Sequence, residues 1–94
     1  MRYNSTIASS ITRILKTPLG SRVMRPEYGS KLYELRDAKY DDAFRLKAAR
    51  YTYEAISKNE PRVRVLKVDF KIWHERIFLL ITLSNGEIIE VGND

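Results

Sequence analysis

Apolar residues recur at helical spacing in the first half of the chain and at strand spacing in the second. Ile7, Ile11, Ile14 and Leu15 fall at i, i+4, i+7 and i+8, with Ser9, Ser10, Thr12, Arg13 and Lys16 on the other side. This predicts a helix over about 5–16, capped by Asn4, Ser5 or Thr6 and stopped by Thr17-Pro18 and Gly20. A second helix is predicted over about 42–58, capped by Asp41 or Asp42, with Pro61 shortly beyond. Phe44, Ala48, Tyr51 and Ala55 form its apolar stripe, flanked by Ile56. Leu46, Arg50 and Tyr53 lie nearly opposite, where a helix with one core face should be plainly polar. Either the preceding loop or a partner protein covers that second face.

From Arg62 onward the period is two. Leu66, Val68, Phe70 and Ile72 alternate with Lys67, Asp69 and Lys71 and are expected to face inward. Val63 and Val65 have the opposite phase. The strand therefore bulges near Val65-Leu66 or runs past the core, with Arg62 and Arg64 on its inner face. A turn at His74-Glu75 leads into a strand apolar on both sides, hence central. Ser84-Asn85-Gly86 predicts a hairpin with positive φ at both Asn85 and Gly86, followed by an edge strand. The expected fold is α+β: two helices on one face of a three-stranded antiparallel meander, with strands at about 62–73, 76–83 and 87–91. Trp73, Phe78 and Leu80 are expected to form an apolar patch on the other face.

Residues 18–40 form a long irregular loop punctuated by Pro18, Gly20, Pro26 and Gly29, with a short helical turn within Lys31–Asp37. Its Val23, Met24, Tyr28, Leu32 and Leu35 either fold over the core or form a contact surface. At 94 residues the whole chain, 1–94, is expected to be a single domain.

Composition removes several chemistries. With 44% hydrophobic and 31% charged residues, the chain resembles an ordinary globular protein. It has no cysteine, which excludes disulfides, thiol nucleophiles and cysteine-ligated metals. Its one histidine, His74, sits in a predicted turn. Neither metal nor catalytic residues are assigned, and no cofactor is expected. Glu27, Glu34 and Asp37 could supply a glycosidase pair, but Arg25, Lys31 and Arg36 beside them would lower a carboxylate pKa rather than raise it. No secretory h-region follows the first residues, and the longest apolar run, Ile77 to Ile81, is too short to span a bilayer. The expectation is a protein of the cytoplasm or of a particle assembled there.

Charge is uneven. The net charge is +5, and the excess lies in the first fifty residues, with no basic residue after Arg76. Arg45, Lys47 and Arg50 near Tyr51 and Tyr53 keep a nucleic-acid-binding module as an alternative. The element order does not match the common RNA-binding modules, and Asp41, Asp42 and Glu54 interrupt the basic face.

Two stretches carry a family likeness: Thr17-Pro18-Leu19-Gly20-Ser21-Arg22-Val23-Met24-Arg25-Pro26-Glu27-Tyr28-Gly29-Ser30-Lys31-Leu32-Tyr33-Glu34-Leu35, and Glu60-Pro61-Arg62-Val63. At this spacing they resemble the baseplate assembly protein W family of contractile phage tails, whose relatives include the TssE component of type VI secretion and gene-twenty-five-like lysozymes. The resemblance implies a structural wedge protein of the virion tail baseplate, assembled in the host cytoplasm, and not an enzyme. It implies a Glu60-Pro61-Arg62 motif that docks on the helical core of the wedge, and a sheet edge that accepts strands from sheath subunits. The partner-binding candidates are Glu60, Pro61, Arg62 and Arg64 at the junction, Leu46, Arg50 and Tyr53 on the second helix, and Ile88 and Glu90 on the last strand. Glu60 pairing locally with Arg62 is the alternative for that residue.

Overall fold

The computed structural model describes residues 6–92; the cap candidates Asn4 and Ser5 lie outside them. Helix α1 spans Ile7–Lys16, with Thr6 as its cap: the Ser9 N–H donates to Thr6 Oγ1 at 3.1 Å. A 3₁₀ turn covers Leu32–Leu35. Helix α2 spans Asp42–Asn59, and Asp41 Oδ1 accepts the Phe44 N–H at 2.9 Å. Strands β1 (Val65–Trp73), β2 (Arg76–Leu83) and β3 (Ile88–Gly92) form an antiparallel sheet in the order β1-β2-β3. The fold is α+β, with β2 central as its two-sided apolarity requires.

The core forms between the helices and one sheet face. Ile11, Ile14 and Leu15 of α1 meet Phe44, Ala48, Ala55 and Ile56 of α2 over Leu79, Ile81, Leu83, Ile89 and Val91 of the sheet. Each fully buried aliphatic side chain contributes about 1.5–3 kcal/mol relative to exposure. Thr52 is buried on the same helix face because its hydroxyl donates to Ala48 O at 2.8 Å, which satisfies it without leaving the helix. Tyr51, expected in the stripe, is only half-buried.

The register of β1 resolves the phase conflict. Val65 pairs with Leu83 and Lys67 with Thr82, so Leu66 is the extra residue of a bulge. Val63, Val65, Val68 and Phe70 therefore share the inner face. Leu66, expected inside, is exposed because the bulge turns it out, and Ile72 is exposed because the hairpin runs beyond the helices. The strand begins three residues later than expected, at Val65 rather than Arg62. On the outer face Phe78 and Leu80 are half-buried rather than an open patch. The Lys71 ammonium lies 5.5 Å from the Phe78 ring centre and 2.9 Å from Glu90 Oε2, strapping charge across β2. Trp73 remains exposed.

The two hairpins reverse the expected turn chemistry. Only Gly86 has positive φ in the β2–β3 turn: its N–H donates to Leu83 O at 3.0 Å, and the Leu83 N–H donates to Glu87 O at 2.9 Å. This is a three-residue loop built on a type I turn with a left-handed glycine, not an Asn-Gly mirror turn. The mirror turn joins β1 to β2, where His74 and Glu75 have φ of 50° and 64°.

The long loop divides into two parts. Tyr28, Leu32 and Leu35 are buried, whereas Val23 and Met24 are 92% and 88% exposed. The base is closed by the Leu19 N–H donating to Ser30 O and the Ser30 N–H to Thr17 O, both at 2.9 Å. Ser30 is itself buried, its hydroxyl donating to Leu15 O at 2.8 Å. Gly29 makes this closure possible: its φ is 114°, and a Cβ there would lie 2.4 Å from Thr17 O.

Gly29→Ala should therefore lower stability by about 2–4 kcal/mol, whereas Gly20→Ala, with open space around it, should lose only about 1–2 kcal/mol. Urea denaturation of both variants tests the difference. Equal losses would contradict the close-packed base.

Candidate protein-docking site at the corner between helix and sheet

Helix α2 ends where proline requires it to end. The Glu60 N–H still donates to Ile56 O at 2.8 Å, but Pro61 can donate no further helical bond. The chain turns through Pro61 and Arg62, and Val63 plugs into the core at 5% exposure. Arg64, just before β1, is held to the β2–β3 turn: its N–H donates to Ser84 Oγ at 3.0 Å and its carbonyl accepts the Ser84 N–H at 2.8 Å. Both ends of the Pro61-Arg62 corner are thus anchored.

Glu60 sits beneath this corner, 3% exposed. A carboxylate so placed needs strong donors. Ser10 of α1 donates its hydroxyl to Glu60 Oε1 at 2.6 Å, and Arg62 Nη2 donates to the same oxygen at 3.0 Å. Arg62 Nε donates to Oε2, completing a two-pronged fork. Those Arg62 hydrogen bonds hold the Glu60 carboxyl below the ordinary carboxylate range. Burial works against them, while the Ser10 bond and the Arg62 charge reinforce them. The same pairing raises the Arg62 pKa. One buried acid therefore ties α1, the end of α2 and the entry to β1.

The sequence candidates fall into three places. Glu60 faces inward, while Pro61, Arg62 and Arg64 lie on the surface. The Arg62 side chain is half exposed, one edge engaged with Glu60 and the remainder open. Leu46, Arg50 and Tyr53 form an outward face of α2 that the 18–40 loop does not cover; Leu46 is 66% exposed. The Tyr53 hydroxyl reaches Leu66 O at 3.4 Å, placing this face against the β1 bulge. Ile88 and Glu90 lie on β3, at the opposite edge of the sheet.

Backbone alternation shows what β3 offers. The Leu83 N–H donates to Glu87 O, so Thr82 and Ile88 form the next, non-hydrogen-bonded pair and Leu80 and Glu90 another. The N–H and C=O groups of Ile88 and Glu90 consequently point away from β2, along the sheet edge. Beside that edge lies a groove lined by Ala8, Thr12, Arg13, Ile88 and Glu90.

Sequence reasoning missed Ser10, Ser84 and Thr52, because the partner of each polar group comes from tertiary packing or from a helical register shared with apolar neighbours. The carboxylates weighed for hydrolysis are exposed loop groups; Glu34 accepts the Tyr51 hydroxyl at 3.3 Å. Among the described residues, no group of His, Cys, Asp or Glu is placed to hold a metal ion. No helix among them is long and apolar enough to cross a membrane. On α2, the basic face is partly spent within the chain, since Arg45 pairs with Asp42 and stacks on Tyr40 at 5.3 Å.

The depressed pKa of Glu60 gives a signed prediction. Its contribution to stability is present above the unfolded carboxylate value and is lost as pH falls through the folded value. The native chain should be more stable than Glu60→Gln at neutral pH. That gap should narrow as pH falls from about 6 towards about 3, read from urea midpoints. A gap independent of pH would contradict the ionised, buried pair.

The family profile described as "Baseplate wedge protein gp25" matches residues 1–84. Baseplate protein W of Escherichia phage P2 is 45% identical over 62 residues, which covers 66% of this chain and 54% of that protein. The match thus spans about half the length of that relative. A solved structure from Geobacter sulfurreducens, described as that of a proposed tail lysozyme, superposes with a TM-score of 0.76 at 24% identity. It covers 98% of this chain and 92% of the other, and at that identity it speaks for the fold alone. The profile match, carried through both motif stretches, settles the family: this chain belongs to the gp25 family of phage-tail baseplate wedge proteins.

Proposed function

We propose that the chain is a structural component of the baseplate wedge that docks on the wedge core through its Pro61-Arg62 corner and initiates the sheath by accepting a strand. The observation that carries docking is the arrangement of Arg62. A buried carboxylate fixes one edge of its guanidinium, leaving the other donors aimed outward. A pre-oriented fork loses less rotamer entropy on binding than a free arginine does, and it suits carboxylates or helix C-terminal carbonyls on a partner. Arg64 adds a second cation nearby, and Leu46, Arg50 and Tyr53 supply the mixture of aliphatic, aromatic and arginine groups enriched at interfaces.

Strand acceptance is supported by the β3 edge. Its outward backbone groups at Ile88 and Glu90 form a β-augmentation template, in which main-chain bonds give affinity and alternate side chains give selection. The β1 edge is the less open of the two, because the bulge interrupts its ladder and Tyr53 reaches the Leu66 carbonyl. On this reading the partners are other wedge proteins and sheath subunits, and assembly takes place in the cytoplasm of the bacterial host. The activity is mechanical rather than catalytic.

Arg62→Ala leaves buried Glu60 with Ser10 as its donor and should lower stability by about 1–3 kcal/mol. It should still fold, with its circular dichroism spectrum retained, yet be missing from purified baseplates. Normal incorporation of the folded variant would remove the docking role. Ile88→Pro deletes only an outward N–H on an edge strand and should fold with a loss below about 1 kcal/mol. Baseplates containing it should form without attached sheath by electron microscopy; sheathed particles at native frequency would contradict strand acceptance at β3.

A further inference from the structure

The outermost part of the long loop is ordered, apolar and open at once. The Ser21 N–H donates to Pro18 O at 3.1 Å, the Arg25 N–H to Arg22 O at 3.3 Å, and the Tyr28 N–H to Arg25 O at 3.0 Å. Successive turns thus carry the chain out and back. Val23 and Met24 occupy the two corners of the Arg22–Arg25 turn, positions where glycine, proline, asparagine or aspartate is usual. They are also the most exposed large apolar residues described, at 92% and 88%.

The shaft beneath them is braced. The buried Tyr28 ring receives the Arg22 guanidinium at 4.2 Å from its centre and that of Arg25 at 5.0 Å. Among the described residues, no carboxylate lies within ion-pairing distance of either arginine. The tip is therefore an apolar pair between two cations whose charge nothing in the described chain neutralises. Val23 and Met24 take no part in the core.

We propose that this tip is a docking knob: Val23 and Met24 enter a small apolar pocket, rimmed by carboxylates, on another baseplate protein. The location rests on the wedge reading, but the surface is separate from the Arg62 corner. Two side chains bury too little area to hold a chain on a lipid surface, whereas a desolvated pocket can make such a pair an anchor. The outer sheet face of a second copy offers no such rim, because its carboxylates are already paired, Asp69 with Lys67 at 3.4 Å and Glu90 with Lys71 at 2.9 Å. Methionine adapts to irregular pockets, and the flanking arginines select for acidic rims.

The test uses assembled baseplates carrying a photoreactive benzoylphenylalanine at position 24, with the double variant Val23→Ser/Met24→Ser alongside. The knob predicts a cross-link to one other baseplate protein, at an apolar site with Asp or Glu neighbours. It also predicts that the double variant keeps its Tm within about 2 °C, since both side chains are almost wholly exposed, while its incorporation drops at least about tenfold. Cross-links only to copies of this chain would overturn it, as would a destabilised double variant or native incorporation of that variant. Sedimentation of the wild-type chain with phosphatidylglycerol vesicles, abolished in the double variant, would reassign the tip to a membrane. Arg62→Ala separates the two readings: if it is excluded from baseplates while the double variant is not, only the knob fails. If the wild-type chain itself is never incorporated, the wedge reading fails with it.

Discussion

A buried carboxylate is the constraint around which the molecule is organised. Glu60 cannot stay ionised at 3% exposure without donors, and the donors it finds come from different parts of the chain. Ser10 brings α1 to the end of α2, and Arg62 bends the chain into the sheet. The helix ends at Asn59, with Glu60 as its cap, because of Pro61, and Arg64 is tied to Ser84 just before β1 begins. The helix-to-sheet angle, the exposure of Arg62 and the placement of Val63 in the core follow from one local arrangement. The same arrangement fixes one edge of the Arg62 guanidinium at the surface.

The rest of the surface shows a division of labour that composition alone disguised. The positive excess resembles a nucleic-acid footprint, yet its members are used individually. Arg45 is held by Asp42 and Tyr40, while Arg22 and Arg25 stand against the Tyr28 ring at the loop tip, away from the α2 face. A continuous phosphate-tracking stripe needs cations free to line up along one groove. Here they are fixed at separate corners, as suits a small part with several protein neighbours. Family membership agrees with that distribution.

Element order, the helices and the central position of β2 were legible because periodicity carries them directly. The switch from a spacing near 3.6 to one of two at Arg62 marks the helix-to-sheet boundary. The phase conflict between Val63-Val65 and Val68-Phe70, by contrast, allowed either a bulge or a strand running past the core, and the pairing register shows the bulge. What escaped was set by tertiary contact or by turn geometry. Asn85-Gly86 carries the signature of a mirror turn, but the loop adds a residue and needs positive φ only at glycine. His74-Glu75 has no such signature, yet adopts that turn because the flanking strands impose their twist. Leu66 and Ile72 read as core from alternation, although a bulge and a projecting hairpin leave them in solvent. At the corner, Glu60 and Arg62 were identifiable as candidates from their motif. Their inward and outward division depended on Ser10, fifty residues away.

The central claim is that Glu60 holds Arg62 ready for a partner, and the density around Arg62 in an assembled baseplate tests it most directly. Electron cryomicroscopy should show the guanidinium still forked onto Glu60, with its outer donors on carboxylate or carbonyl oxygens of a neighbouring wedge protein. An Arg62 that faces solvent in the assembled particle, or that has left Glu60 to reach its partner, would contradict the account.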